Sequence, residues 1–136
     1  MTIEGVMSPF TQSLLVICVL TFLSLHNVIG ESTDHQVVVH NSLEGKLNLT
    51  LRCQSKDDDL GFHDLRTDEH FGWNFNVNIF RTTLYFCSVK WNNEFHHFDA
   101  FRSSRDRYRF VLYWYIKKAG PCVVSTGGNN GCYPWK

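Results

Sequence analysis

The sequence predicts an all-β fold, a disulfide-stapled β-sandwich of about eight short strands. Three observations carry this. Apolar and polar residues alternate with period two along several segments, turn-forming residues break those segments at short intervals, and the last four cysteines make an even set. Ahead of the domain runs an apolar stretch from Leu14 to Leu25, about a dozen residues, which suits a signal h-region and falls short of the ~20 needed to span a bilayer. Small residues at Val28 and Gly30 place cleavage after Gly30, so residues 1–30 are expected to be a signal peptide and 31–136 the β-sandwich domain. The stretch before the apolar run has no Lys or Arg and carries Glu4; initiation at Met7 would remove that acid. Cleavage leaves 106 of the 136 residues, enough for one domain with a modest core.

The elements follow in order. A first strand is expected over Gln36–Asn41, then a half-buried one over Leu47–Cys53, where the leucines and Cys53 face inward and Asn48, Thr50 and Arg52 face water. Trp73–Ile79 repeats the device, with Trp73, Phe75, Val77 and Ile79 inward and three asparagines outward. Thr82–Trp91 and Arg107–Lys117 carry apolar or aromatic residues on both faces and read as central strands. Glu94–Arg102, Cys122–Ser125 and Cys132–Trp135 complete the set. Turns are expected at Leu43-Glu44-Gly45, Trp91-Asn92-Asn93, Arg102 to Asp106, Ala119-Gly120-Pro121 and Gly127 to Gly131. The polar, acidic connection from Gln54 to Gly72 is expected to hold a short helix or an ordered loop.

Composition and motifs exclude most chemistry. Cys18 lies in the h-region and leaves with it, so Cys53, Cys87, Cys122 and Cys132 remain for two disulfides in an oxidising compartment, with three pairings open. None of the four sits at the C-x2-C spacing of a zinc site. Loss of residues 1–30 removes one acid and no base, moving the net charge from 0 to +1 with His neutral, without the concentrated basic face of a nucleic-acid binder. Asn48-Leu49-Thr50 is an N-glycosylation sequon on an outward position. Asp57, Asp58 and Asp59 offer oxygens but lack the spacing of a calcium loop, and carboxylates in a turn ordinarily cap backbone N–H groups. Of the histidines, His96 and His97 point to opposite faces of one strand, and His40, His63 and His70 are dispersed; no metal or other cofactor is expected. No nucleophile elbow or phosphate-cradling loop is present, so no catalytic residue is assigned. Arg102, Arg105, Arg107 and Arg109, interleaved with Tyr108 and Phe110, read as a solvated turn and edge, with contact to an acidic partner as the rival reading.

Taken in order, these residues resemble the plant self-incompatibility protein family, the S-protein homologues. The resemblance runs from Val37-Val38-Val39-His40-Asn41-Ser42-Leu43 through the strand ending in Cys53 with its acidic loop to Trp73-Asn74-Phe75. It continues through Thr82-Thr83-Leu84-Tyr85-Phe86-Cys87-Ser88-Val89-Lys90-Trp91, Phe95 to Phe101, the Arg105-Asp106 pair, Trp114-Tyr115-Ile116, Gly120-Pro121-Cys122 and Cys132-Tyr133-Pro134-Trp135. It implies a secreted β-sandwich with two disulfides and no known catalytic residues, in a family whose founding members are stigma-borne ligands recognised by pollen.

The expectation is therefore a secreted, extracellular, monomeric signalling or recognition ligand rather than an enzyme. It would meet a plasma-membrane or cell-wall protein partner through the loops Gln54 to Gly72 and Arg102 to Asp106, with no nucleic acid and no membrane insertion after cleavage. The alternative is a secreted defence factor or hydrolase inhibitor using similar loops.

Overall fold

The computed structural model describes residues 11–20, 35–128 and 130–136. The chain divides into two units, Met1–Ser32 and Thr33–Lys136. The described part of the first is helix α1 over 11–20, and no described helix is long and apolar enough to cross a membrane. The expected cleavage point at Val28 to Gly30 lies outside the described residues.

The second unit is a β-sandwich. Its elements are β1 (His35–Asn41), β2 (Leu49–Gln54), β3 (Asp59–Leu65), β4 (His70–Phe75), β5 (Leu84–Trp91), β6 (Glu94–Arg102), the short helix α2 (Ser103–Asp106), β7 (Val111–Lys117), β8 (Gly120–Ser125) and β9 (Gly131–Cys132). One sheet has the order β4-β1-β7-β8-β9 and the other β3-β2-β5-β6. The pairings are antiparallel except β1 with β7, which run parallel.

Period-two alternation does in space what it says in sequence. Leu49, Leu51 and Cys53 from β2 meet Tyr85, Cys87, Val89 and Trp91 from β5 on the inner face of one sheet, and Val37, Val39, Leu112, Trp114 and Ile116 form the inner face of the other. Each fully buried aliphatic side chain contributes ~1.5–3 kcal/mol. Trp114, almost wholly buried, donates its indole N–H to the Ala100 carbonyl at 2.8 Å, so its one polar atom costs little. Asn41 is buried too: its amide donates to the carbonyls of Leu47 (2.8 Å) and Leu65 (2.9 Å), and its oxygen accepts the Leu43 N–H (3.0 Å). One side chain thus closes the β1–β2 connection and anchors the end of β3.

Disulfides join Cys53 to Cys87 across β2 and β5, and Cys122 to Cys132 across β8 and β9. Each lies within a single sheet. Gly120, beside the second bridge, has no room for a Cβ, which would overlap the Tyr133 carbonyl.

The two strands read as central are central, β5 between β2 and β6 and β7 between β1 and β8. Several expectations are corrected. The connection from Gln54 to Gly72 holds strand β3 and the start of β4, not a helix or loop. The strand beginning at Trp73 instead begins at His70 and ends at Phe75; Val77 lies in a loop and Ile79 points into solvent, 88% exposed. β5 begins at Leu84 and β7 at Val111, later than their patterns suggest, and Arg102 to Asp106 is largely a turn of helix. The closing strand spans only Gly131–Cys132.

Candidate recognition surface

Strand pairing sets the two ends of the sandwich. β2 and β5 are antiparallel, so Gln54, Leu84 and Arg102 gather at one end and Leu49, Lys90 and Glu94 at the other. Phe75 packs on Tyr85 and Phe101, and His35 on Phe101 and Phe110, which brings the start of β1, the end of β4 and the start of β7 to the first end. The connections at this pole include the β2–β3 turn, the β4–β5 loop, the α2–β7 segment and the described part of the β8–β9 connection, whose Gly127 and Gly128 lie against Tyr108 and Arg109.

The β4–β5 loop, residues 76–83, is built around Asn78. Its amide donates to the Thr82 hydroxyl (2.9 Å), its side-chain oxygen accepts the Thr82 N–H (2.9 Å), its own N–H donates to the Thr83 hydroxyl (2.9 Å), and its carbonyl accepts the Arg81 N–H (3.1 Å). Arg81 takes a left-handed φ of 56°, which completes the turn. These bonds fix the loop while leaving its apolar side chains outside: Ile79 is 88% and Phe80 79% exposed. Aliphatic and aromatic groups held in water by a closed hydrogen-bond network make no contribution to the core, and such features mark contact surfaces.

The α2–β7 segment stands beside this loop. Arg107 lays its guanidinium 4.7 Å from the Tyr108 ring centre, and its carbonyl accepts a hydrogen bond from the buried His35 Nε2 at 3.0 Å. Tyr108 and Phe110 are 67% and 55% exposed. A groove of about 550 Å³ separates the two, walled by Ile79 and Arg81 on one side and Arg107, Tyr108 and Phe110 on the other. A second groove, about 570 Å³, shares Asn78 with the first and is lined by Phe80, Lys56, Asp57 and Asp58.

Of the sequence candidates, the basic run does not form one patch. Asp106 is buried and accepts the Arg102 N–H (2.9 Å) and the Arg105 guanidinium (2.6 Å from one nitrogen), with Arg109 3.6 Å away. Arg102 pairs through its side chain with Asp99. Burial alone would raise the Asp99 pKa, but hydrogen bonds from Lys136 and Arg102 override it and hold the carboxyl below the usual range. Three of the four arginines are thereby paired with aspartates of the scaffold, which corrects the solvated-edge reading for the buried Arg109 and the half-buried Arg105, while Arg102 stays exposed. The acidic run is a capped turn: Asp58 N–H donates to the Ser55 hydroxyl at 3.1 Å, and Asp59 accepts the Gly61 N–H at 3.0 Å. A hydrogen bond from Arg52, then that N–H, keeps the Asp59 carboxyl below its ordinary pKa.

The histidines stay apart. His96 packs inward on Trp135 and pairs with Glu94 at 2.8 Å, while His97 lies on the outer face. His63 stacks on Phe71, and His40 sits across from His70 on the outer face of the other sheet, stacked on Tyr115. Among the described residues no group of three His, Cys, Asp or Glu side chains is placed to hold a metal ion. Asn48 is exposed at the opposite end from the β4–β5 loop, just before β2. The residues missed from sequence are Ile79, Phe80 and Arg81; the signal available was the Asn78-x-x-x-Thr82-Thr83 spacing of an Asx-type turn, masked by apolar alternation running on through Val77 and Ile79.

Fold and site together define a small two-disulfide β-sandwich that carries an exposed apolar loop fixed by its own hydrogen bonds. Comparison with known proteins agrees in kind: residues 36–135 match the model of the plant self-incompatibility protein S1 family. S-protein homolog 29 of Arabidopsis thaliana is 39% identical over 102 residues, covering 73% of this chain and 76% of the relative. S-protein homolog 2 of the same plant is 37% identical over 119 residues, covering 80% and 73%. A solved structure of SPH (self-incompatibility protein homologue) proteins, described as a widespread family of small, highly stable, secreted proteins from plants, superposes with a TM-score of 0.59 at 12% identity, over 78% of this chain and 97% of that one. The chain belongs to the plant self-incompatibility protein S1 family, a family of small secreted proteins.

Proposed function

We propose that this chain is an extracellular, non-catalytic recognition ligand that meets a protein partner at the plasma membrane or cell wall through the pole carrying the β4–β5 loop. The observation that carries the reading is the Asn78-centred network, which holds Ile79 and Phe80 in water at a cost no packing returns. A loop ordered in advance gives up little entropy on binding, and buried aromatic and aliphatic anchors dominate interface energies. Signal cleavage after Gly30 and an N-glycan on Asn48 belong to the same proposal. The sequon stands at the pole away from the loop, so a glycan there leaves the contact surface open.

The test is binding of the secreted, labelled protein to intact plant cells. Saturable binding that Phe80→Asp reduces at least about tenfold, with an unchanged melting temperature, is the expected result; binding indifferent to Phe80→Asp would remove this pole from the contact. Intact mass of the same preparation, with and without Thr50→Ala, reports the cleavage point and the glycan. The rigid loop also favours a second reading, a defence factor or hydrolase inhibitor, since insertion of a pre-formed loop is how many inhibitors block an enzyme cleft. Inhibition of secreted microbial hydrolases, lost with Phe80→Asp, would select it.

A further inference from the structure

We propose that the groove between the β4–β5 loop and the α2–β7 segment binds an extended segment of a partner protein in which carboxylates alternate with apolar side chains. The inference rests on reading this pole as the contact surface and adds the chemistry of what it takes. The groove presents Ile79, Tyr108 and Phe110 together with the guanidinium groups of Arg81 and Arg107, and among the described residues no carboxylate lines it. No ion pair among the described residues uses Arg81 or Arg107, whereas Arg52, Arg102, Arg105 and Arg109 each have an aspartate within ion-pair reach. Arg107 is aimed by its stacking on Tyr108 and by the His35 bond to its backbone, and Arg81 by the turn that Asn78 closes. Two pre-positioned guanidinium groups on facing walls fit carboxylates presented along a chain, and the apolar side chains between them fit the intervening residues.

The same pole argues against a flat anionic membrane or an acidic polysaccharide. Asp57 and Asp58 border the neighbouring groove, which shares Asn78 with this one, and outnumber its one cation, Lys56, so a planar anionic surface reaching Arg81 would also press on those carboxylates. A uronate polymer would stack on the aromatic rings but gain nothing from Ile79, the most exposed of the domain's large apolar side chains.

The test is selection of a random peptide library displayed on phage against the full secreted chain, biotinylated at its C-terminus. Enriched peptides are expected to interleave Asp or Glu with Leu, Phe, Tyr or Trp. They should bind the Arg81→Gln, Arg107→Gln double variant at least about tenfold more weakly and be largely rescued by the corresponding Lys variant. Arg81→Gln alone, on an exposed loop, gives the same reading if the double variant folds poorly. A selection that yields no peptide, or peptides without acidic enrichment, or binders indifferent to these substitutions overturns the proposal. So does Arg81-dependent binding to phosphatidylserine–phosphatidylcholine vesicles or to polygalacturonate when no peptide shows it. Because the peptides are selected on the protein itself, this experiment can fail while the Phe80→Asp loss of cell binding stands, and the converse.

Discussion

His40 shows how a single residue on a strand outside the core still sets a property of the whole domain. It stands on the outer face of β1, across from His70 on β4 and stacked on Tyr115 from β7, with Tyr113 nearby. Burial lowers its pKa from 6.5 by penalising the imidazolium; a backbone interaction with Trp114 opposes this, and the charge of a protonated His70 adds to the lowering. A histidine with a depressed folded pKa binds its proton more readily when unfolded. The stability associated with its neutral form is therefore complete above the unfolded value near 6.5 and declines as pH falls from there through the lower folded value. His40→Gln is expected to flatten that part of the curve, seen as a smaller drop in melting temperature between about pH 7.5 and about pH 5 than in the parent; an unchanged drop would assign the acid sensitivity elsewhere. Asn41, the next residue, points the other way and is indispensable for a different reason. Leucine there would leave two buried carbonyls and one N–H without their partners.

At the scale of elements, the β4–β5 loop is where order and exposure coincide, and Asn78 is the cause. Asn78→Ala removes the two side-chain hydrogen bonds of an exposed loop, to the Thr82 hydroxyl and from the Thr82 N–H, and leaves the backbone N–H bond to the Thr83 hydroxyl. The expected outcome is a loss of about 1–2 kcal/mol or less in global stability, since no core residue moves, but a marked speeding of amide exchange at Arg81 and Thr82. Cell binding should fall further than stability does, because loop order then has to be created on binding. The same loop marks the limit of what alternation reveals. β2, β5 and β7 were legible because their inner faces are apolar at every second position. β3 was not: of its inward positions Gly61, His63 and Leu65 only Leu65 is a buried apolar side chain, and an exposed phenylalanine, Phe62, pairs with Arg52, so the apolar residues show no period of two. β4 and the loop after it failed in the opposite sense. The alternation continues through Val77 and Ile79 although the ladder stops at Phe75, and a pattern cannot show where pairing ends. The basic run misled because sequence does not reveal that Asp106 is buried among it.

For the whole molecule, the position of the disulfides decides what they hold. Neither bridge links one sheet to the other, so the sandwich is closed by its core and the bridges act within sheets. Their contributions should differ. Cys53–Cys87 closes a segment of 34 residues and Cys122–Cys132 one of 10; loop-closure entropy alone then gives about 4 and about 3 kcal/mol respectively. Cys53 and Cys87 are also fully buried in the inner layer, so replacing both by alanine adds the loss of packed volume, while Cys122 and Cys132 lie nearer the surface. The second bridge has a more local duty. Beyond Cys132 the chain carries Trp135, which donates its indole N–H to the Lys118 carbonyl at 2.9 Å and stacks on His96, and Lys136, which pairs with Asp99. β9 contributes only two residues to its sheet and Tyr133 N–H adds one bond to the Pro121 carbonyl at 2.9 Å, so the bridge is the covalent tie among several weaker ones that hold this tail. Cys122→Ala with Cys132→Ala is therefore expected to leave a folded sandwich whose tail is loosened, with a red-shifted Trp135 contribution to fluorescence isolated by comparison with a Trp135→Phe background. Cys53→Ala with Cys87→Ala should instead lower the denaturation midpoint of the whole domain by the larger amount, without a selective change at Trp135. Equal losses from the two pairs, or a global collapse on removing the second, would mean that the tail rather than the inner sheet is what closes the fold.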